Sequence, residues 1–165
     1  MQIRAATTDD LDDMWQLFRA VIATGDALPF PEDFDLDTFR SHWFGAHRAH
    51  VATLEGEGLV GMYKMGANYP GPGSHVASAT YLVRPDVQGQ GIGRALVEDS
   101  LARAQAEGFL SMQFNFVVGT NTAALALYAK LGFAIVGTLP RAFRHRELGL
   151  VDAHVMSRTL TAHSA

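Results

Sequence analysis

Between residues 11 and 22, apolar side chains recur as Leu11, Met14, Trp15, Phe18, Val21 and Ile22. That is the i, i+3, i+4, i+7 spacing of a helix with one buried face. Thr7, Thr8, Asp9 and Asp10 precede it with a capping residue and acids for the positive end of the helix dipole, and Gly25 ends it. A short strand over 3–5 comes before. A second helix is predicted over 35–44, with Leu36, Phe39, Trp43 and Phe44 on its buried side. The period then changes to two. Residues 49–67 read as two strands around the turn signal "EGEG", and "VASATYLV" (76–83) reads as a third, stopped by Pro85. A helix is predicted over 92–107, closed by Gly108. In the strand "LSMQFNFVV", Met112, Phe114, Phe116 and Val118 share one face and Gln113, Asn115 and Val117 the other. A short helix over 121–131 ends at Gly132. "FAIVGTL" and "VDAHVMSRTL" are further strands, with the basic segment "RAFRHRELG" as a loop between them. Strands and helices alternate from 75 to 137, the mark of a β-α-β-α-β unit inside a mixed sheet. No repeat or linker interrupts the chain, so residues 1–165 read as one α/β domain.

Composition narrows the chemistry. Apolar residues make up 48% of the 165 and charged residues 18%, as in a globular domain. A net charge of −4 offers no footprint for nucleic acid or an anionic membrane. The absence of cysteine excludes disulfides, thiolate metal sites and a cysteine nucleophile. "MQIRAATTDD" lacks the basic and apolar regions of a signal peptide and no apolar run approaches ~20 residues, so the expected location is cytoplasmic.

The most informative stretch is "VRPDVQGQGIGRALV". Its Gly89, Gly91 and Gly93 stand between a predicted strand and a predicted helix. Backbone N–H groups at such a turn, reinforced by the helix dipole, suit an anion. A Walker loop requires a Lys-Ser or Lys-Thr pair, which does not follow Gly93. A dinucleotide fingerprint requires a third glycine where Leu96 stands. The pyrophosphate of coenzyme A remains, beside a plain tight turn with no ligand.

Two motifs carry a resemblance. Gln88-Gly89-Gln90-Gly91-Ile92-Gly93, continued by Arg94-Ala95-Leu96, resembles the Q/R-x-x-G-x-G/A signature of the GCN5-related N-acetyltransferase family. Downstream, "NTAALALYAKLGF" from Asn121 to Phe133 resembles that family's N-x-x-A-x-x-L-Y-x-K-L-G-F. The likeness covers about 50–140 well and the N-terminal helices in general layout. It implies a mixed, splayed sheet of six to seven strands flanked by helices, with acetyl-CoA as co-substrate and no metal. Gln88, Gly89, Gln90, Gly91, Ile92, Gly93 and Arg94 would hold the pyrophosphate. Tyr81, Leu82 and Val83 would offer backbone groups to the pantetheine arm, Asn121 would contact the cofactor, and Tyr128 would protonate or stabilise the leaving thiolate. Asn121 also reads as a plain N-cap, and Tyr128, seven residues on, faces the same side of its helix.

For the acceptor, Asn115 and Ser78 are the candidate contacts; Asn115, if buried, needs hydrogen-bond partners. "FNFVVGTN" resembles the matching segment of fungal acetyltransferases for proline analogues such as azetidine-2-carboxylate, which often carry an asparagine near Ser78. The strands that bear a catalytic glutamate in many relatives have none here, leaving His75, His145, Glu32, Asp33 or water to take the amine's proton. His42, His47 and His50 read as solvated side chains rather than metal ligands, Met62, Tyr63 and Met65 as sheet residues near the pocket. Arg141, Arg144, His145 and Arg146 read as a basic loop, exposed or facing an anion. The function expected is direct acetyl transfer to a primary or secondary amine of a small molecule, an amino acid or analogue. A non-catalytic acyl-CoA-binding module and a protein N-terminal or lysine acetyltransferase are the alternatives. No nucleic-acid or membrane partner is expected; the sequence does not give the oligomeric state, and a homodimer is what the resemblance allows, since dimers are common in the family.

Overall fold

The computed structural model describes residues 1–160. Its seven-stranded sheet runs in the order β1-β2-β3-β4-β5-β7-β6. The strands are β1 (Gln2–Ala5), β2 (Arg48–Leu54), β3 (Gly58–Ala67), β4 (Val76–Val83), β5 (Ser111–Val118), β6 (Ala134–His145) and β7 (Gly149–Thr159). Helices α1 (Leu11–Ile22) and α2 (Leu36–Trp43) cover one face, α3 (Ile92–Ala106) and α4 (Thr122–Lys130) the other. Every strand pair is antiparallel except β4–β5. This is the mixed, helix-flanked α/β sheet expected from the sequence.

β3 shows why its sequence is apolar at nearly every position. Met62 packs with Met14, Phe18, Phe39 and Trp43 on the α1/α2 face, while Tyr63 and Met65 pack with Leu96, Met112 and Phe114 on the other. A central strand covered on both sides loses the polar alternation of a half-exposed one.

Three local expectations are corrected. Leu36 is 37% exposed whereas Phe39 and Trp43 are fully buried. Side chains lean towards a helix N-terminus, so one in the first turn projects past the packed layer. The segment read as a basic loop is the second half of β6, where Phe143 pairs with Val151 and His145 with Gly149. A register shift between Leu139 and Phe143 absorbs Pro140 and Arg141, and Asp152 Oδ1 accepts the Arg141 N–H at 2.9 Å. In β5 a register shift between Phe114 and Val117 breaks the alternation. Val117 joins Met112 and Phe114 in the α3/α4 core, and Phe116 leaves it. An extra residue in a strand reverses which face the following side chains occupy.

β4 and β5 pair only at Val76–Ser111 and Ala77–Met112, then diverge. The divergence coincides with the β5 bulge and opens the gap in which the site lies.

Candidate active site

The gap is part of a cavity of about 590 Å³. One end is the turn before α3. Gly89 and Gly91 adopt φ of +79° and +81°, open to glycine at no steric cost, with nothing within 4 Å of an added Cβ. Among the described residues, no backbone N–H from 88 to 94 meets a protein acceptor; the first that does is Ala95, on Gly91 at 3.1 Å. A run of free donors at the positive end of a 15-residue helix is a cradle for a large anion. Gln88, Gly89, Gly91, Ile92, Gly93 and Arg94 line the cavity; Gln90 does not. Arg94 is held by Glu98 at 2.8 Å.

The middle of the cavity is the edge of β4. Arg84 N–H donates to Val60 at 2.9 Å and Asn68 N–H to Val76 at 2.8 Å. With the β3–β4 register, these bonds place the even-numbered β4 residues in the hydrogen-bonded pairs. Leu82 therefore spends its backbone on Met62 and gives the cavity only its side chain. The N–H and C=O of Ala79, Tyr81 and Val83 point into the gap. Tyr81's own side chain is committed to the core, its hydroxyl 2.7 Å from Ser100 Oγ.

Tyr128 faces the gap from α4. Its ring packs against Phe114 (centroids 4.6 Å apart), Phe133 (6.0 Å) and Tyr81 (6.3 Å). Among the described residues its hydroxyl has no hydrogen-bond partner, and burial pushes its pKa up to about 12. It therefore stays protonated through the neutral range, a donor aimed into the cavity. Asn121 also lines the cavity while its Oδ1 accepts from Ala124 N at 3.2 Å, so the cap and the cavity wall are one residue.

The far end opens on the α1/α2 face as a chamber walled by Val21, residues 27–30, Ser78, Thr80, Asn115 and Phe116. Asn115 is exposed to this space rather than buried. It exchanges two bonds with Asn68, at 3.1 and 2.6 Å, and its Oδ1 also accepts from Gln113 at 2.9 Å. The Ser78 and Thr80 hydroxyls carry no partner among the described residues.

Of the candidate bases, none lines the cavity. Glu32 pairs with Arg146, and His75 rests its Nδ1 on the Pro72 carbonyl at 3.1 Å. His145 Nδ1 accepts from Glu147 and Leu148 in the β6–β7 turn, and Asp33 is exposed. Of the basic residues, Arg146 binds the loop after α1: its N–H donates to Gly25 at 3.2 Å and its guanidinium reaches the Ala23 carbonyl and Glu32. It clamps the segment that carries residues 27–30. Arg141, Arg144 and His145 do not line the cavity. Nor are the helix-end histidines solvated as a set. His50 is buried against Tyr63 with rings stacked 4.7 Å apart, His42 binds Lys64, and His47 binds the Ala67 carbonyl at 2.9 Å. β2 is covered on both faces, so His50 within it is drawn inside, whereas His42 on α2 and His47 before β2 are half-buried.

Residues 27–30, Thr80 and Asn68 did not stand out in the sequence. "ALPFP" is an apolar island in an acidic loop, a signal of a buried loop with no indication of what it covers.

A glycine cradle, a splayed parallel pair and a phenol facing the gap together could hold an extended phosphate-bearing molecule along the cavity. Residues 11–133 match the model of the Acetyltransferase (GNAT) family, and the chain belongs to that family. A GCN5-related N-acetyltransferase from Kribbella flavida is 39% identical, superposes with a TM-score of 0.92, and is matched over 96% of this chain and 97% of its own. N-acetyltransferase aca1 of Schizosaccharomyces pombe is 37% identical over 98 residues, 59% of this chain; the match spans only 47% of that protein. The L-methionine sulfoximine/L-methionine sulfone acetyltransferase of Pseudomonas paraeruginosa is 28% identical over 146 residues, 84% of this chain and 83% of that one. No helix among the described residues is long and apolar enough to cross a membrane.

Proposed function

We propose that the protein transfers the acetyl group of acetyl-CoA to the amine of a small molecule of the amino-acid class. The observation that carries this is the continuity of one cavity from the glycine cradle, past Tyr128, to a chamber on the opposite face of the sheet. The membership of an acetyltransferase family and the likeness to a methionine sulfone acetyltransferase support it.

The cradle's N–H groups bind the pyrophosphate, and the free backbone edge at Ala79, Tyr81 and Val83 takes the pantetheine amides. One N–H of that edge faces the thioester carbonyl and stabilises the oxyanion that develops there. The amine, neutral when it attacks, adds to the thioester carbon; the C–N bond forms, the C–S bond breaks, and the thiolate leaves. The attacking nitrogen's surplus proton passes to water, since no carboxylate or imidazole stands on the wall. Tyr128 donates to the departing sulfur. A thiol has an ordinary pKa of ~8.5 against about 12 for this phenol, so a hydrogen bond, rather than complete proton transfer, is its contribution.

A thiol-release assay with acetyl-CoA and a panel of amino acids, amino-acid analogues, peptides and polyamines tests the reading. Turnover with free amino acids and none with peptides is expected. Coenzyme A binding without thiol release on any amine would favour a non-catalytic module, the reading to which the bare wall lends support.

A further inference from the structure

Lys64 lies in the middle of β3, 7% exposed. Its Nζ donates to His42 Nε2 at 2.8 Å and to the His42 carbonyl at 3.3 Å, and stands 6.0 Å from the centre of the Trp43 ring. None of the ion pairs among the described residues involves it. The groups facing it are His42 from α2 and, beyond that ring, His47; β4 presents Thr80, and the loop after α1 presents Phe30 and Phe34 to His42. Burial lowers Lys64 to about 8, and burial with the nearby Lys64 and His47 lowers His42 to about 4. At neutral pH the pair thus holds one proton, on Lys64, shared with an uncharged imidazole. A buried ammonium with no anion opposite is destabilising, and its retention calls for a use.

Its place suggests one. Lys64 stands directly across the ladder from Thr80, in a hydrogen-bonded pair whose side chains share a face at ~5 Å. Thr80 lines the chamber. His42 packs edge-on against Phe30, with ring centroids 5.3 Å apart, and Phe30 lines the chamber as well. The cation is therefore one side chain, His42, behind the wall at Phe30, and the stem of Lys64 lies beside Thr80. That wall offers the Ser78 and Thr80 hydroxyls and the Asn115 amide, with no acidic side chain.

We propose that Lys64, held by His42, is a specificity-determining charge for the acceptor: it biases the chamber to positive potential and selects amines that carry a carboxylate or similar anion beside the nucleophilic nitrogen. Polyamines and lysine side chains are disfavoured by the same field. So is the ammonium form of a bound acceptor, which eases the deprotonation that no chamber side chain performs. The inference deepens the acetyl-transfer reading of this site and rests on it.

The test separates the two by measuring binding apart from turnover. N-acetyl derivatives of L-methionine sulfone, L-proline and glycine, each as the acid and as its neutral amide, are titrated into the protein saturated with coenzyme A. Neither form changes its charge between pH 6.5 and 9.5. The acid is expected to bind more tightly than the amide, by on the order of tenfold, as for a charge acting through one intervening side chain. The preference should fade as pH rises through about 8, where Lys64 loses its proton. Lys64→Met and Lys64→Gln should abolish it at pH 7 while melting at or above the wild-type temperature and binding coenzyme A unchanged. A merely structural lysine would lower the melting temperature on removal and leave the ratio alone. Equal affinity for acid and amide in the wild type, binding of neither, or a pH-independent ratio overturns the proposal. Absence of thiol release with a normal acid preference would instead overturn the catalytic reading.

Discussion

Gly91 and Gly108 bound the same helix. Their φ angles are +81° and +85°, and an added Cβ at either meets nothing within 4 Å. Alanine at either position therefore incurs the same penalty, ~1–2 kcal/mol for an L residue held in the left-handed region. In a domain of this size that lowers Tm by roughly 2–8 °C. What differs is the space in front of them. The Cβ at position 91 would enter the anion cradle, where a phosphate must come within hydrogen-bonding distance of the backbone. Losing one charge-assisted bond, ~1.5–3 kcal/mol, weakens coenzyme A by about 10- to 150-fold. Gly108→Ala should leave that affinity within about twofold, the spread of a surface substitution. Calorimetric titration of coenzyme A and thermal melting of both variants, side by side, read the two effects separately. Equal affinities in the two variants, or a Gly108→Ala protein that binds as weakly as Gly91→Ala, would refute the cradle.

Other expectations follow from the same geometry. Tyr128→Phe removes a hydroxyl that has no protein partner among the described residues, so stability should hold or rise slightly, while kcat falls by about 10- to 100-fold with little change in KM for acetyl-CoA; undiminished kcat would remove Tyr128 from the reaction. Arg146→Ala frees the loop carrying residues 27–30, and should raise KM for the acceptor several-fold but not that for acetyl-CoA, as steady-state kinetics will show. Asp10 is held down to about 2 by its hydrogen bonds to Arg4, with the Thr7 N–H adding to the effect. Because its folded pKa lies below the ordinary ~3.9, the contribution is complete above that value and is lost as pH falls towards 2; Asp10→Asn should forfeit about 1–2 kcal/mol by denaturant unfolding at pH 7 and little at pH 2. Lys64 carries the opposite balance: its folded pKa of about 8 lies below the ordinary lysine value, so between about 8 and ~10.4 the unfolded chain binds the extra proton and stability rises with pH.

Much of the molecule was legible before its coordinates. Local pattern determined the helices at 11–22 and 92–106 and the strand at 76–83 nearly to the residue, because period, cap and breaker agree there. The glycine turn before α3 was legible too, since glycines at a strand-to-helix turn act through their own backbone, whatever the rest of the chain does. Tyr128 came from spacing and family likeness together. What the sequence left open depends on which segments meet. Arg146 looked like a free cation until β6 and β7 paired and brought it to Gly25. The β5 bulge, invisible in an alternating run, moved Phe116 out of the core. Asn115 acquired its orientation from Asn68, 47 positions away. Lys64, one polar residue in an apolar strand, carries no mark in the sequence; burial between two layers and the hydrogen bond to His42 behind Phe30 make it a charge behind the chamber wall. Periodicity and turn chemistry are properties of neighbours along the chain, whereas burial, register and electrostatic surroundings are properties of neighbours in space, and the acceptor's recognition belongs to the second kind.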